Sequence, residues 1–132
     1  MTGVYLGEKH CDLTHGPSQA TISTDAPKDN AGRGEAFSPT DLVGAALGSC
    51  VLTTMAIFAE RHEISLKGST FTVTKEMNNN PRTIARLTLM VHLPAVVDEK
   101  NRKILEDVAL KCPVKRSLHP DVQLPIEFQW DL

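Results

Sequence analysis

The run Ser38-Pro39-Thr40-Asp41-Leu42-Val43-Gly44-Ala45-Ala46-Leu47-Gly48-Ser49-Cys50-Val51-Leu52-Thr53-Thr54-Met55-Ala56-Ile57-Phe58-Ala59 decides the fold. It opens with helix-start chemistry. Ser38 suits the N-cap, Pro39 suits the first helical position, where a missing N–H costs nothing, and acidic Asp41 stands three residues after the cap. This is a capping box with Asp in the place of Glu. The helix is expected to run to about His62 or Glu63. From Leu42 to Ala59 it carries no charge at all, and a helix apolar on every side is one buried on every side. That length touches the roughly 18 residues that suggest a membrane span. Gly44, Gly48, Ser49, Thr53 and Thr54 make it only mildly hydrophobic, however, and no apolar or aromatic anchors extend it. The expectation is a core helix, with no membrane partner. A domain this small has little material to surround such a helix. Gly44 and Gly48 clear side chains from one stripe and would let a second helix approach closely. A helix shared across a homodimer core is therefore expected.

The flanks alternate like strands. Residues 1–25 hold two apolar–polar stretches about the turn His15-Gly16-Pro17-Ser18, which predicts a β-hairpin. Asp25 to Ala36 reads as a loop containing Gly32-Arg33-Gly34. Beyond the helix, Thr70–Thr74 and Ala85–Leu93 flank Asn78-Asn79-Asn80-Pro81 as a second hairpin. Asp98 then caps an amphipathic helix with Ile104, Leu105, Val108 and Ala109 on one side. Cys112-Pro113-Val114-Lys115-Arg116-Ser117 opens a short third helix, and Ile126–Trp130 forms a last strand. The fold class is α+β: antiparallel sheets, one long buried central helix and two further helices, in a single domain covering 1–132.

Composition excludes several functions. Net charge is −2, Lys and Arg are scattered, and aromatics make up only 5%, so neither the basic patch nor the stacking platform of a nucleic-acid binder is present. The first residues show no basic leader and no long apolar run, so no signal peptide is expected. Three cysteines without export signals read as free thiols in a reducing cytoplasm.

Those thiols are the chemistry. Cys50, in mid-helix, reads either as a small packed hydrophobe or as a thiol activated by another element. Cys112 stands at a helix start beside Lys111, Lys115 and Arg116. Unpaired amides and positive charge favour thiolate there, so its pKa is expected to be lowered. Cys11 lies in a predicted strand and reads as packing; its neighbour His10 points to the opposite face. The histidines show no metal-ligand spacing, and no phosphate loop, nucleophile elbow or dinucleotide fingerprint appears. Neither metal nor cofactor is expected.

Two segments together resemble the OsmC/Ohr family, in its less studied branch. Ser38 to Cys50 looks like that family's helix leading into the peroxidatic cysteine, and Cys112-Pro113-Val114 with Ser117 looks like the segment of its resolving cysteine. The order of elements fits along nearly the whole chain. The resemblance implies an OsmC-like fold, an intertwined homodimer with sites at its interface, and reduction of organic hydroperoxides in oxidative-stress defence. It implies that Cys50 becomes a sulfenic acid, that Cys112 condenses with it to a disulfide, and that a dithiol of the lipoyl type reduces the bond. One departure stands out. Better-characterised members place a Glu ten residues before the first cysteine, paired with an activating Arg. Here that position is Thr40, and the carboxylate comes one later as Asp41, turned by roughly 100°. Asp41 stands as cap or as site carboxylate, and Arg33 and Arg116 are the candidates for the activating cation. Two rival readings remain. One is a non-catalytic dimeric module binding a small apolar or acyl ligand. The other makes Cys50 an acyl-transfer nucleophile, for which no histidine base is evident.

Overall fold

The computed structural model describes all of residues 1–132. The chain folds as two compact units, 1–43 and 44–132. The first holds β1 (Thr2–Gly7), β2 (His10–Thr14) and β3 (Thr21–Asp25), an antiparallel sheet in the order β1-β2-β3. A loop with a short 3-10 turn then leads to helix α1 (Pro39–Glu60), whose first residues close this unit. The second unit holds the rest of α1, then β4 (Thr70–Asn79), β5 (Arg82–Leu93), α2 (Glu99–Ala109), α3 (Pro113–Ser117) and β6 (Ile126–Trp130). Its sheet runs β4-β5-β6.

The α+β class and the element order follow the sequence reading, with two differences. Three strands, not a hairpin, occupy residues 1–25. The expected turn at His15–Ser18 joins β2 to β3, but a second turn joins β1 to β2 through Glu8 and Lys9, at φ of 48° and 62°. Two residues at positive φ suit the twist of a tight hairpin, yet neither is the Gly or Asn that announces one. The second sheet is mixed rather than antiparallel: β4 and β5 pair antiparallel, β6 joins β5 in parallel. Alternation within a strand carries no sign of its direction. The connection through α2 and α3 returns the chain to the end where β5 began, as parallel pairing requires.

Helix α1 begins with the predicted box. The Ser38 amide donates to Asp41 Oδ2 at 2.8 Å, and the Asp41 amide donates to Ser38 Oγ at 3.1 Å. It ends at Glu60, two or three residues before the expected His62 or Glu63. Ile64 N–H bonds Ala59 O at 2.9 Å, Glu63 N–H bonds Glu60 O at 3.2 Å, and Glu63 sits at φ 58°. That is a Schellman closure with a glutamate in the position usually given to glycine.

Burial along α1 follows one stripe of Gly44, Leu47, Gly48, Val51, Met55 and Ala59. Burying Leu47, Val51 and Met55 completely stabilises the unit by about 1.5–3 kcal/mol each. By length and composition this helix would also suit a membrane; here its stripe packs against a sheet. The glycine notch receives a strand, not the second helix the sequence suggested. A Cβ on Gly48 would lie 2.3 Å from the Phe71 ring, and one on Gly44 would lie 3.2 Å from Val73 Cγ1. Both partners are on β4, where an aromatic ring fills the space that a helix backbone was expected to take. The opposite face of α1, with Ala46, Ser49, Thr53 and Ile57, is exposed.

Alternate β5 residues Leu87, Leu89, Val91 and Leu93 are fully buried, as are Leu105 and Ala109 of α2. Trp130 ties α2 to β6, its indole N–H donating to Glu106 Oε1 at 2.8 Å while the Arg102 guanidinium stacks 5.3 Å from the ring centre. Gly48→Ala is expected to destabilise the protein, because overpacking costs about 1–3 kcal/mol against a helix-propensity gain of about 1 kcal/mol. In Gly44→Ala the two terms should nearly cancel. Thermal unfolding of both variants checks this, with a clear fall in Tm expected only for Gly48→Ala.

Candidate functional site

Cys50 lies three turns into α1, off the buried stripe, and is half-buried. Residues about one helical turn away lie above and below it on the surface. Of these, Thr54 is its nearest polar neighbour, with Oγ1 4.0 Å from the sulfur. Around it the open side of the helix offers Ala46, Thr53 and Ile57, none of them charged.

Cys112 is placed by the join between α2 and α3. The end of α2 is anchored by buried Leu105 and Ala109, and Cys112 N–H bonds Ala109 O at 3.1 Å. The residue is the N-cap of α3, Pro113 takes the first helical position, and the Cys112 sulfur accepts the Lys115 amide at 3.3 Å. Its thiol is wholly buried, and Cys50 lies near enough to act on its ionisation. Both cysteines are free thiols. Two sulfurs 62 positions apart in sequence thus meet in the second unit.

The acidity expected of Cys112 is not what this placement produces. Burial pushes its thiol above the ordinary value, and the adjacent Cys50 sulfur pushes the same way. The amides of Lys115 and Val114 do lower it, as the helix start predicts, but they are outweighed. Desolvation of a thiolate exceeds what two backbone dipoles return. Lys111 and Arg116 are exposed, so water screens much of their charge.

The other residues singled out in the sequence lie elsewhere. Asp41 is in the first unit, engaged with Ser38 in the capping box. Arg33 is also in the first unit, with Nη1 3.1 Å from Glu8 Oε2 and Nε 3.8 Å from Glu35 Oε2. Arg116 sits in the last turn of α3. Cys11 is half-buried in β2, opposite Tyr5 and Thr24. Two open cavities, of about 360 and 510 Å³, flank the segment 63–67 of the second unit, and neither is lined by a cysteine. The first touches α1 through Leu52, Thr53 and Ala56. The thiol pair thus lies outside both cavities.

The sequence reading passed over one polar cluster. His10 is held between two carboxylates, with Nδ1 2.6 Å from Asp25 Oδ1 and Nε2 3.2 Å from Asp12 Oδ1. Its signal was available in the register. With the His15–Ser18 turn fixed, His10 falls opposite Asp25 and Asp12 opposite Ser23.

Comparison with known proteins agrees with this layout. The family model described as OsmC-like protein matches residues 32–127. A solved Psychrobacter arcticus protein, named for osmotic stress induction and a detoxification response, shares 40% identity over 97% of this chain and 93% of its own, with a TM-score of 0.93. An organic hydroperoxide resistance protein OsmC from Legionella pneumophila matches at 18% identity, 98% and 97% coverage and a TM-score of 0.75. An OsmC-like protein from Mycoplasma pneumoniae gives 19%, 97% and 93%, and 0.79. No curated protein matches the chain.

Cys112 should label slowly. With iodoacetamide at neutral pH, its alkylation in the folded reduced protein is expected to be at least about tenfold slower than in urea, since burial shields the sulfur and disfavours its thiolate. Peptide mass spectrometry over time measures both rates; equal rates would contradict the burial described here.

Proposed function

The chain belongs to the OsmC-like family, and from that premise we propose that it is a thiol peroxidase that reduces organic hydroperoxides. One observation carries the reading: a solvent-reachable thiol, Cys50, stands against a fully buried one, Cys112. The solved Legionella relative, named for organic hydroperoxide resistance, points to the same class of substrate.

The steps follow from that placement. Cys50, as thiolate, attacks the terminal peroxide oxygen. The O–O bond breaks, Cys50 becomes a sulfenic acid, and an alcohol leaves after taking up a proton. Cys112 has kept its proton, because burial disfavours its thiolate. Its sulfur then attacks the Cys50 sulfenic sulfur, a disulfide forms, and the hydroxyl leaves as water with the Cys112 proton. An external dithiol returns two electrons and two protons to restore both thiols. No cofactor enters the cycle.

The open side of α1 supports a homodimer in which a second copy packs on it and leaves Cys50 in an interface pocket that the peroxide can enter. Ala46, Ser49, Thr53 and Ile57 are exposed on a helix with no charge from Leu42 to Ala59, and a patch of that kind marks an interface. Light scattering at micromolar concentration is expected to give about twice the chain mass. A folded monomer would remove this part of the proposal.

Cumene hydroperoxide added to reduced protein should consume two thiols and leave Cys11 free, with peptide mapping locating the Cys50–Cys112 linkage. Cys50→Ser should abolish peroxide consumption. Cys112→Ser should allow one turnover and then leave Cys50 open to overoxidation. Wild-type turnover in Cys50→Ser would reverse the assignment, and no loss of thiols at all would favour a non-catalytic binding module.

Sequence neighbours alone would surround Cys50 with Leu47, Val51, Leu52 and Met55, but Leu47, Val51 and Met55 are in the core and Leu52 lines a cavity that no cysteine reaches. The uncharged side chains beside Cys50 are Ala46, Thr53 and Ile57. An alkyl or aryl substituent still gains about 0.8 kcal/mol for each CH₂ it buries there, and about 1.4 kcal/mol is tenfold in rate if the contact persists in the transition state. Cumene and tert-butyl hydroperoxides are therefore expected to show a kcat/KM at least about tenfold above that of hydrogen peroxide. Equal values would count against an organic substrate.

A further inference from the structure

The loop 26–37, between β3 and α1, closes on itself. Gly32 N–H bonds Pro27 O at 3.0 Å and Gly34 N–H bonds Ala26 O at 3.2 Å. A Cβ on Gly32 would lie 1.7 Å from Ala26 O, so the closure is tight. The loop is tied down at few points. Ala26 N–H bonds Lys9 O at 3.1 Å, Asp25 N–H bonds Phe37 O at 3.1 Å, and Glu35 N–H donates to Asp25 Oδ2 at 2.9 Å. Arg33 adds an exposed pair with Glu8.

Asp25 is the centre of this arrangement, and its side chain is only 2% exposed. A carboxylate so enclosed needs a compensating charge, and His10 from the neighbouring strand supplies it. The geometry at His10 shows in which form. Both ring nitrogens face carboxylate oxygens, Asp25 at 2.6 Å and Asp12 at 3.2 Å. A neutral imidazole has one N–H, so one lone pair would point at an anion; only the imidazolium donates to both. Asp12 is held for this by Ser23 Oγ, which donates to the same Oδ1 at 2.6 Å.

We propose that His10 is a proton-controlled latch on the loop 26–37, closed while the imidazolium bridges Asp25 and Asp12 and loosened when the ring loses its proton. In the neutral ring Nδ1–H can still reach Asp25, but the buried carboxylate loses its counter-charge and the Asp12 contact turns repulsive. The groups facing the latch are Asp12 on its own strand, Asp25 on β3, and Arg33, which also favours the charged form of Asp25. Glu8 and Glu35 flank Arg33.

Hydrogen bonding to Asp25, then to Asp12, raises the His10 pKa above 6.5, against the opposing pull of desolvation. The latch therefore contributes its full stability below 6.5 and loses it as pH climbs through the raised folded value. Asp25, chiefly through His10, and Asp12, chiefly through Ser23, are lowered below 3.8. Their share is present above that value and is lost as pH falls through the folded ones. The latch is closed between these limits and opens first on the alkaline side.

Two NMR readouts on the full chain test this: the His10 Cε1–H titration and the hydrogen-exchange protection of the Glu35 amide, with Leu89 N–H, bonded to Pro125 O at 2.9 Å, as reference in the second unit. The His10 midpoint is expected above 6.5, with Glu35 protection falling at least about tenfold through it while Leu89 holds. Asp12→Asn should move both the midpoint and the fall to lower pH together. His10→Gln should leave Glu35 poorly protected at every pH. Protection of Glu35 that stays flat through the His10 midpoint, or that falls in step with Leu89, would overturn the latch. So would a midpoint at or below 6.5.

Discussion

The contact between Gly48 of α1 and the Phe71 ring of β4 sets the geometry on which the second unit depends. It fixes how closely the charge-free helix approaches the sheet and which side of the helix turns inward. Once Gly44, Leu47, Gly48, Val51 and Met55 face the sheet, Cys50 is carried to the edge of the buried stripe. A cysteine one position along would be rotated by roughly 100°, either into the core or fully into solvent. The half-burial of Cys50 is thus a consequence of helix phase, and the phase is held by a ring seated where no side chain stands.

The two units solve the problem of burial differently. In the second, burial is almost wholly apolar, and the pair of free thiols lies at its edge. In the first, a short sheet with many exposed side chains encloses the carboxylate of Asp25 and balances it with an imidazolium. Apolar packing is indifferent to pH, whereas a charge-compensated site exists only over the range in which its partners are ionised. The loop 26–37 hangs on the second kind of interaction.

The sequence revealed those parts of the fold whose causes are local. Ser38, Pro39 and Asp41 announced the start of α1 because capping involves only neighbours in the chain. Asp98, Cys112 and Pro113 did the same for α2 and α3. What escaped was settled by partners distant in sequence. The turn at Glu8 and Lys9 is imposed on residues without a preference for it. The parallel docking of β6 depends on where α2 and α3 deliver the chain, and the occupant of the glycine notch depends on β4. The candidate site divides the same way. Cys112 stands out from its setting and Cys50 only through the family resemblance, while the acidity of Cys112 is not legible, since the helix start is visible in sequence and the burial that overrides it is not. His10 was passed over because its meaning lies in cross-strand register.

That reversal at Cys112 bears on how a two-thiol cycle stays in order. If both sulfurs were acidic and open, either could meet the peroxide, and an oxidised sulfur could meet a second peroxide before its partner. In the proposed cycle, burial separates the roles. Cys112 is out of reach of solvent and holds its proton, so it is a poor nucleophile toward peroxide, for which the thiolate is the reactive form. It stands within reach of one electrophile, the oxidised Cys50. When that sulfur becomes sulfenic acid, Cys112 needs no approach step, and such proximity stands in for a high concentration of thiol. The Lys115 and Val114 amides, too weak to make Cys112 acidic in the resting state, are placed to stabilise charge on its sulfur as the proton leaves. On the proposed cycle, solvation therefore fixes the order of events, and the helix cap assists only the second one.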